Sequence, residues 1–293
     1  MINISPRQLE VFVHVAVHGS ARAAAEHLYM TQPAVSMALA EMERHLGAKV
    51  FARERGRLRV NARGRELLPL AQELLERYAE FGRHGGGDVA TLSGELRIGA
   101  SNTVGNYRVG ELLGAFVREH SQVAVQLHVA NTRQIVTGMV GHDLDVACVE
   151  GHVAHPLLET RAWRTDSLVV CASPDHPLAR RRVLRPAHFA GARWILREPG
   201  SATRDLSAQA LARLPPGETV LELHQTEAIK QAAIAGLGIA FLPEMATTEA
   251  VAAGRLKVLN TRFLDLRRTL SLLLHRRRYR GALLEAFLAS LSR

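Results

Sequence analysis

The chain is poor in cysteine, with only Cys148 and Cys171 in 293 residues. Two thiols cannot build a disulfide framework, and both lie in apolar stretches, so buried, reduced side chains are expected. No apolar run approaches the length needed to span a bilayer, which leaves no membrane partner to expect. The opening residues MINISPRQLE lack a basic stretch followed by an apolar one, so a cytoplasmic protein without a secretory signal is expected. Acidic residues are outnumbered, 28 against 37 Lys and Arg, for a formal net charge of +9. That balance favours nucleic acid, an anionic surface or an acidic partner without choosing among them.

Several chemistries lack their residues. Gly99 and Gly105 flank a strand–helix turn but make no G-x-G-x-x-G, and no Walker lysine follows. Ser101 and Ser201 have no G-x-S-x-G elbow and no base placed beside them. Among fourteen histidines the tightest cluster, His152 and His155 near Cys148, lacks the spacing of a closed zinc site. No catalytic residue, metal or cofactor is therefore expected. The basic run from His275 to Arg280 reads as a solvated face near a terminus.

What is present begins with a 47% hydrophobic share and 22% charged residues, the mark of a globular chain, in a length that fits two or three units. Ser5-Pro6 opens a first helix with a cap and a first-turn proline; Leu9, Phe12, Val13 and Ala16 form its expected buried stripe and Gly19 closes it. Ser20 is a good N-cap for a second helix, Ala21 to Leu28, rich in the best helix former. Tyr29 and Met30 supply a tight turn. Thr31 caps a third helix with Pro33 in its first turn; Val35, Leu39, Met42 and Leu46 recur at helical spacing, and Gly47 ends it. Gln32 and Ser36 lie on the opposite face near the N-terminal end. In a helix-turn-helix that end of the second helix meets base edges in the major groove.

Beyond Gly47, Arg53, Arg55, Arg57 and Arg59 alternate with Glu54, Gly56 and Leu58, a period of two around a glycine that predicts a hairpin wing. Arginines beside a recognition helix reach phosphates or a narrow minor groove. Residues 1–65 carry ten basic and five acidic side chains, so more than half of the excess charge sits in less than a quarter of the chain. Residues 64–81 read as one amphipathic helix, with Leu67, Ala71, Leu74, Tyr78 and Phe81 at the spacing of a coiled-coil seam. Arg83-His84-Gly85-Gly86-Gly87 is the clearest linker.

The first three helices resemble the DNA-binding module of the LysR-type transcriptional regulators. The family pattern of Gly-Ser, paired alanines, Leu, Ser/Thr-Gln-Pro-Ala-Val-Ser, Leu-Glu, Leu-Gly and Leu-Phe-x-Arg stands here as Gly19-Ser20, Ala24-Ala25, Leu28, Thr31-Gln32-Pro33-Ala34-Val35-Ser36, Met42-Glu43, Leu46-Gly47 and Val50-Phe51-Ala52-Arg53. Met42 and Val50 replace the usual leucines, and Asn61 stands where a threonine is common. The resemblance implies an α+β multi-domain protein: an N-terminal winged helix-turn-helix, a linker helix, and a C-terminal α/β, periplasmic-binding-protein-like effector domain of two subdomains. The implied boundaries are 1–65, 66–88 and 89–293, with subdomain I over 89–164 and 268–293 and subdomain II over 165–267. Ser20, Thr31, Gln32, Pro33, Ser36, Arg53, Arg55, Arg57 and Arg59 are the expected DNA-binding residues of a sequence-specific regulator. The resemblance further implies dimers through the linker helix and tetramers through the α/β half, with RNA polymerase as a further partner.

Beyond the linker, strands and helices alternate, which predicts a mostly parallel sheet with a ligand site at strand carboxyl ends. The resemblance continues there in LRIGAS, in the loop from Glu198 to Arg204, and in GLGIAFLPE from Gly236. Two loops resemble each other, Ser101-Asn102-Thr103 and Ser201-Ala202-Thr203. Each offers two hydroxyls and exposed amides at a helix start, where the macrodipole favours an anion. Facing each other they would form a small polar pocket with few aromatic walls. Thr132 and Glu150 are expected to line the same cleft, and Glu150 disfavours a second negative charge on the ligand. The expected effector is a small anion. Resemblance to LysR-type regulators of sulfur metabolism puts sulfite or sulfate first and a small carboxylate second. The competing reading is a small-molecule-binding protein or enzyme whose N-terminal helices only mediate assembly.

Overall fold

The computed structural model describes residues 3–54, 57–85, 92–151 and 153–292, with only the backbone for residues 54, 57 and 83–85. Arg55, Gly56, Gly86, Gly87 and His152 thus lie outside the described residues.

The first unit is helical. Helix α1 (Pro6–His18) starts with a capping box at Ser5 and ends at Gly19, whose φ of 67° suits a residue without a Cβ. Helix α2 (Ala21–Leu28) is capped by the Ser20 hydroxyl, which accepts from the Ala23 amide at 3.1 Å. Helix α3 (Gln32–Leu46) is capped by Thr31 and ends at Gly47. The buried stripe of α1 is Leu9, Val11, Phe12 and Val15; Val13 and Ala16 are only half-buried, because α2 and α3 cover the other flank. Buried Glu43 accepts from the Val50 amide at 3.0 Å and from Lys49 Nζ at 2.8 Å, tying α3 to the hairpin that follows. That hairpin is β1 (Phe51–Glu54) with β2 (Arg57–Val60), paired from Phe51–Val60 to Glu54–Arg57. The Leu58 amide donates to the Gly19 carbonyl at 3.0 Å, which seats the hairpin on the α1–α2 corner.

Helix α4 (Ala62–Gly85) follows, its start tied down by Asn61, whose side chain donates to the Lys49 carbonyl and accepts from the Gly64 amide. The helix runs through residues 83–85, where a linker was expected. Leu68 and Ala71 are buried in the N-terminal core and Leu67 packs beside them, while Leu70, Leu74, Tyr78 and Phe81 are exposed. The seam of the sequence reading is therefore corrected. Packing of α4 on α1 consumes Ala71 and part of Leu67, and the uncovered apolar strip runs through Leu70 instead.

The second unit is a sheet with helices on its faces. Strand β3 (Gly94–Ser101) leads directly into the short α5 (Asn102–Tyr107) and, after a break at Arg108, into α6 (Val109–Glu119). Next come β4 (Val123–Ala130), α7 (Thr132–Val140) and β5 (Val146–Glu150). Strand β6 (Leu158–Ala172) crosses into the other half, which holds β7 (Arg193–Arg197), α8 (Ala202–Leu211), β8 (Glu218–Leu223), α9 (Thr226–Ile234), β9 (Ile239–Pro243), α10 (Glu244–Ala252) and the short β10 (Lys257–Val258). Strand β11 (Arg267–His275) crosses back to α11 (Ala282–Ser290). The order is β4-β3-β5-β11-β6-β9-β7-β8. Strand β3 pairs in parallel with β4 and β5, and β7 with β8 and β9, but β5–β11, β11–β6, β6–β9 and β10–β6 are antiparallel, so the sheet is mixed rather than mostly parallel. The two crossing strands run in opposite directions because the chain leaves one subdomain and returns to it. Separate apolar cores fill the two halves, one around Phe116 and Phe287, the other around Phe189 and Trp194.

Candidate DNA-binding surface and effector cleft

The N-terminal end of α3 projects from the helical unit. Thr31, Gln32, Pro33 and Ser36 are exposed, and Met37, at 73% exposure, joins them on that face. Val35 and Leu39 hold the opposite face in the core, so the helix cannot rotate these side chains away. Arg53 and Arg59 on the hairpin are exposed; of Arg57 only the backbone is described. Ser20 sits half-buried at the start of α2. Gln32 carries both a donor and an acceptor, the pair an adenine edge requires.

The two hydroxyl loops meet, through a residue that sequence reasoning missed. Arg268 on β11 donates from Nη1 to Thr203 Oγ1 at 2.9 Å and from Nη2 to Thr103 Oγ1 at 3.1 Å, one threonine from each subdomain. Its Nε reaches Asp166 Oδ2 at 2.7 Å, and Glu150 Oε1 lies 3.9 Å from Nη2. The space between the loops is therefore filled by a guanidinium rather than open. Ser101, Asn102, Thr103, Ser201 and Thr203 are all buried. Ser101 accepts from the Val104 amide at 3.5 Å as a cap, whereas Ser201 makes no capping hydrogen bond, and buried Asn102 Oδ1 has no partner among the described residues. Burial pushes the Glu150 carboxyl up, but the charge of Arg268 and hydrogen bonds from Thr103 and Ser101 outweigh it and hold the group below the usual carboxylate range.

Other contacts close the cleft at its edges. Asn131, the cap of α7, donates to Glu198 Oε1 at 3.1 Å, and Glu198 is gripped by both ends of the Arg197 fork. The Arg133 amide donates to the Gly200 carbonyl at 3.0 Å; a φ of 96° makes that position one for glycine. Tyr107 donates to Glu227 at 3.2 Å, and burial with that carboxylate pushes the phenol up to about 12. Beside Arg268 a cavity of about 860 Å3 remains, with Thr132, Glu150, Thr269 and Ser271 at its polar side and Val136, Val153 and Leu206 as apolar walls. Of the expected effector residues, Thr132 and Glu150 line it. Thr132 Oγ1 lies 3.5 Å from Glu150 Oε2. The arginine was missed because its partners lie 65 to 165 positions away in the chain, and no local pattern marks such a residue.

Both units match family models. Residues 6–65 match the bacterial regulatory helix-turn-helix protein, lysR family, and residues 90–293 match the LysR substrate binding domain. The chain is 36% identical over 288 residues to the uncharacterized HTH-type transcriptional regulator YeiE of Escherichia coli K12, covering 98% of this chain and 97% of that one. It is 33% identical over 256 residues to the HTH-type transcriptional regulator CbbR of Xanthobacter flavus, covering 86% and 77%. Among solved structures, a full-length OxyR variant of Pseudomonas aeruginosa shares the fold with a TM-score of 0.79 at 21% identity over 99% and 95% of the two chains. The regulatory domain of Synechocystis PCC6803 CcmR, solved in complex with 2-PG, matches with a TM-score of 0.63 at 28% identity over 68% and 96%. The capped helix pair, the hairpin beside it and the two-subdomain sheet thus have one common explanation: the chain belongs to the LysR family and is a LysR-type DNA-binding transcriptional regulator with an effector domain, not an enzyme.

Proposed function

We propose that this regulator reads an interrupted palindrome through residues Thr31 to Ser36, grips the flanking phosphates with Arg53, Arg55, Arg57 and Arg59, and responds to a small anion in the cleft at Arg268. The proposed units are residues 1–65, 66–88 and 89–293, with the subdomains exchanging near 164/165 and 267/268, in a cytoplasmic protein that works with RNA polymerase. Ser20 supports the recognition unit as a cap. The exposed strip Leu70, Leu74, Tyr78 and Phe81 is the surface a second copy would cover, as half-sites related by a two-fold require.

One observation carries the effector reading: a single guanidinium, Arg268, holds a hydroxyl from each subdomain. A ligand acid group that took Asp166's place on Arg268 would have hydroxyls of Thr103 and Thr203 at hand, with Ser101, Asn102, Ser201, Thr132 and Glu150 around them. Ionised Glu150 disfavours a second negative charge nearby, and the sulfur-metabolism resemblance makes sulfite, which is partly the singly charged hydrogensulfite near neutral pH, and sulfate the first probes. A second reading, an organic carboxylate, is supported by the 860 Å3 volume and by the walls of Val136, Val153 and Leu206, which an inorganic ion leaves unused.

The test is thermal unfolding of the full chain with sulfite, sulfate and a panel of small carboxylates. A ligand at 100 times its Kd stabilises the native state by about 2.7 kcal/mol, a shift of a few degrees. Ser101→Ala and Thr203→Val should abolish that shift. A response to organic acids alone removes the sulfur reading and keeps the cleft; variants that respond like the wild type remove the cleft.

A further inference from the structure

Strand β11 does not end at the cleft. It runs from Arg267 to His275 between β5 and β6, hydrogen-bonded on both sides, with a register shift between Leu270 and Ser271. At ~3.3 Å per residue it carries the chain about 23 Å from Arg268 to His275. Three residues later the chain grips helix α4. Arg278, 8% exposed at its side chain, sets Nη2 2.5 Å from Asp145 Oδ1 and 3.7 Å from Glu76 Oε1, and donates from Nη1 to the Leu144 carbonyl at 3.4 Å. Tyr279 donates to Glu80 Oε2 at 2.5 Å, and the Arg77 guanidinium lies 4.2 Å from the centre of its ring. A Cβ on Gly281 would stand 2.9 Å from Glu76 Oε2, so the next turn of chain also lies against the helix. Glu76, Arg77 and Glu80 are thus all held by residues 278–281, which corrects the reading of the run from His275 to Arg280 as a solvated face: His275 and the Arg278 side chain are buried.

The grip is polar and enclosed. Arg97 reaches Asp145 at 2.9 Å, so Asp145 serves two arginines, and Arg278 in turn serves two carboxylates. Burial raises the Glu76 carboxyl while the charge of Arg278 lowers it. Beside this cluster lies a cavity of about 260 Å3, lined by Val13, Val17 and Leu75 as well as by His14, His18, Gln72 and Glu95, and the buried Gln72 Oε1 has no partner among the described residues. The directed part of the contact between the two units is therefore a few charge-assisted bonds beside a partly empty space. Such contacts hold one geometry and release cleanly when one partner shifts, unlike a close-packed apolar seam.

We propose that Arg278 and Tyr279 are positioning residues of this regulator: they fix α4, and with it the DNA-binding unit, relative to the effector domain, and β11 links their position to the state of Arg268. The first half rests on the contacts alone; the link to Arg268 rests on the cleft proposed above.

Amide hydrogen exchange on the unliganded full chain tests it without needing either ligand. Exchange in the α4 segment 72–81 should rise by about tenfold in Arg278→Gln, because a charge-assisted contact is lost from a locally opening helix. Tyr279→Phe, which removes one oxygen and is safe for folding, should give a smaller rise at the same amides. Arg278→Lys, which keeps the charge between Asp145 and Glu76, should restore part of the protection. Arg268→Met should raise exchange in the same segment in the wild-type background and add nothing in the Tyr279→Phe, Arg278→Gln background. Unchanged α4 exchange in both clasp variants overturns the positioning role. Additive effects of Arg268→Met and the clasp variants overturn the link to the cleft and leave the clasp standing. A melting screen that finds no effector would remove the cleft reading without touching these exchange results.

Discussion

The DNA-binding face and the effector cleft handle their polar side chains in opposite ways. On α3, Thr31, Gln32, Pro33 and Ser36 are exposed, and the core behind them is apolar. In the cleft the hydroxyls are buried and an internal arginine already answers them. A surface that waits for DNA can leave its donors to water, which costs little and is reversed on binding. A cleft between two subdomains cannot, because buried polar groups without partners are expensive. The protein supplies Arg268 as that partner, bonded to Thr103 on one side and Thr203 on the other.

The largest expected effect would break this contrast if it failed. Arg268→Ala leaves Asp166 and Glu150 buried without a counter-charge and should destabilise the effector domain by about 3–5 kcal/mol in denaturant unfolding. Arg53→Ala on the exposed hairpin should stay within about 0.5 kcal/mol of wild type. Equal losses would mean that the cleft arginine is as dispensable as a surface one. Next in size is assembly. Leu74→Glu places a charge on the exposed strip of α4 and should move the protein from assembled to monomeric species in sedimentation velocity; an unchanged profile would exclude that strip. Gln32→Ala should weaken operator binding by about 1–3 kcal/mol and relax one base position, with no change in melting temperature. A variant that binds as before would misplace the recognition end of α3.

The pH dependence sharpens the same comparison through two shifted groups of the effector half, His142 and Glu150. Burial lowers His142 to about 4, helped by nearby His275, Arg278 and Arg97. The unfolded chain then takes up a proton below about 6.5 that the native state refuses, so stability falls as pH drops from about 6.5 to 4. Glu150 works in the other window. Its carboxyl is held low, so the stability it contributes is present above its unfolded value of about 4.3 and is lost as pH falls through its lowered native one. Melting of the full chain should show both steps, and His142→Asn should flatten the first. A small gain is expected at Tyr29, a 98% exposed residue held at φ 52° in the turn between α2 and α3. Tyr29→Gly should gain roughly 0.5–1 kcal/mol by relieving a left-handed backbone. A loss instead would show that the ring is held by contacts that burial does not reveal.

Much of the N-terminal unit was legible because its signals are local. Ser5, Ser20 and Thr31 cap the helices they precede, Gly19 and Gly47 end helices, and Asn61 caps the start of α4 through the Gly64 amide. The buried strands β5 and β9 are short apolar runs, VACVE and IAFLP, a local signal of the same kind. The first half of β6 was not, since residues 158–165 cross between subdomains without a two-residue alternation of burial and with several charges. Helix α10 was hidden as well; its threonines and alanines carry no strong amphipathic pattern, and its start depends on packing against β9 and α9.

The chain by itself therefore determined the elements whose causes lie within a few residues: caps, turns, the recognition helix and the hydroxyl loops at helix starts. Tertiary structure alone decided which face of α4 stays exposed, how the two crossing strands pair, and that Arg268 stands between Thr103 and Thr203. The physical reason is range. A cap is satisfied by an amide three positions away, whereas the partners of Arg268 and Arg278 are brought within reach only when the sheet closes and sets distant residues side by side.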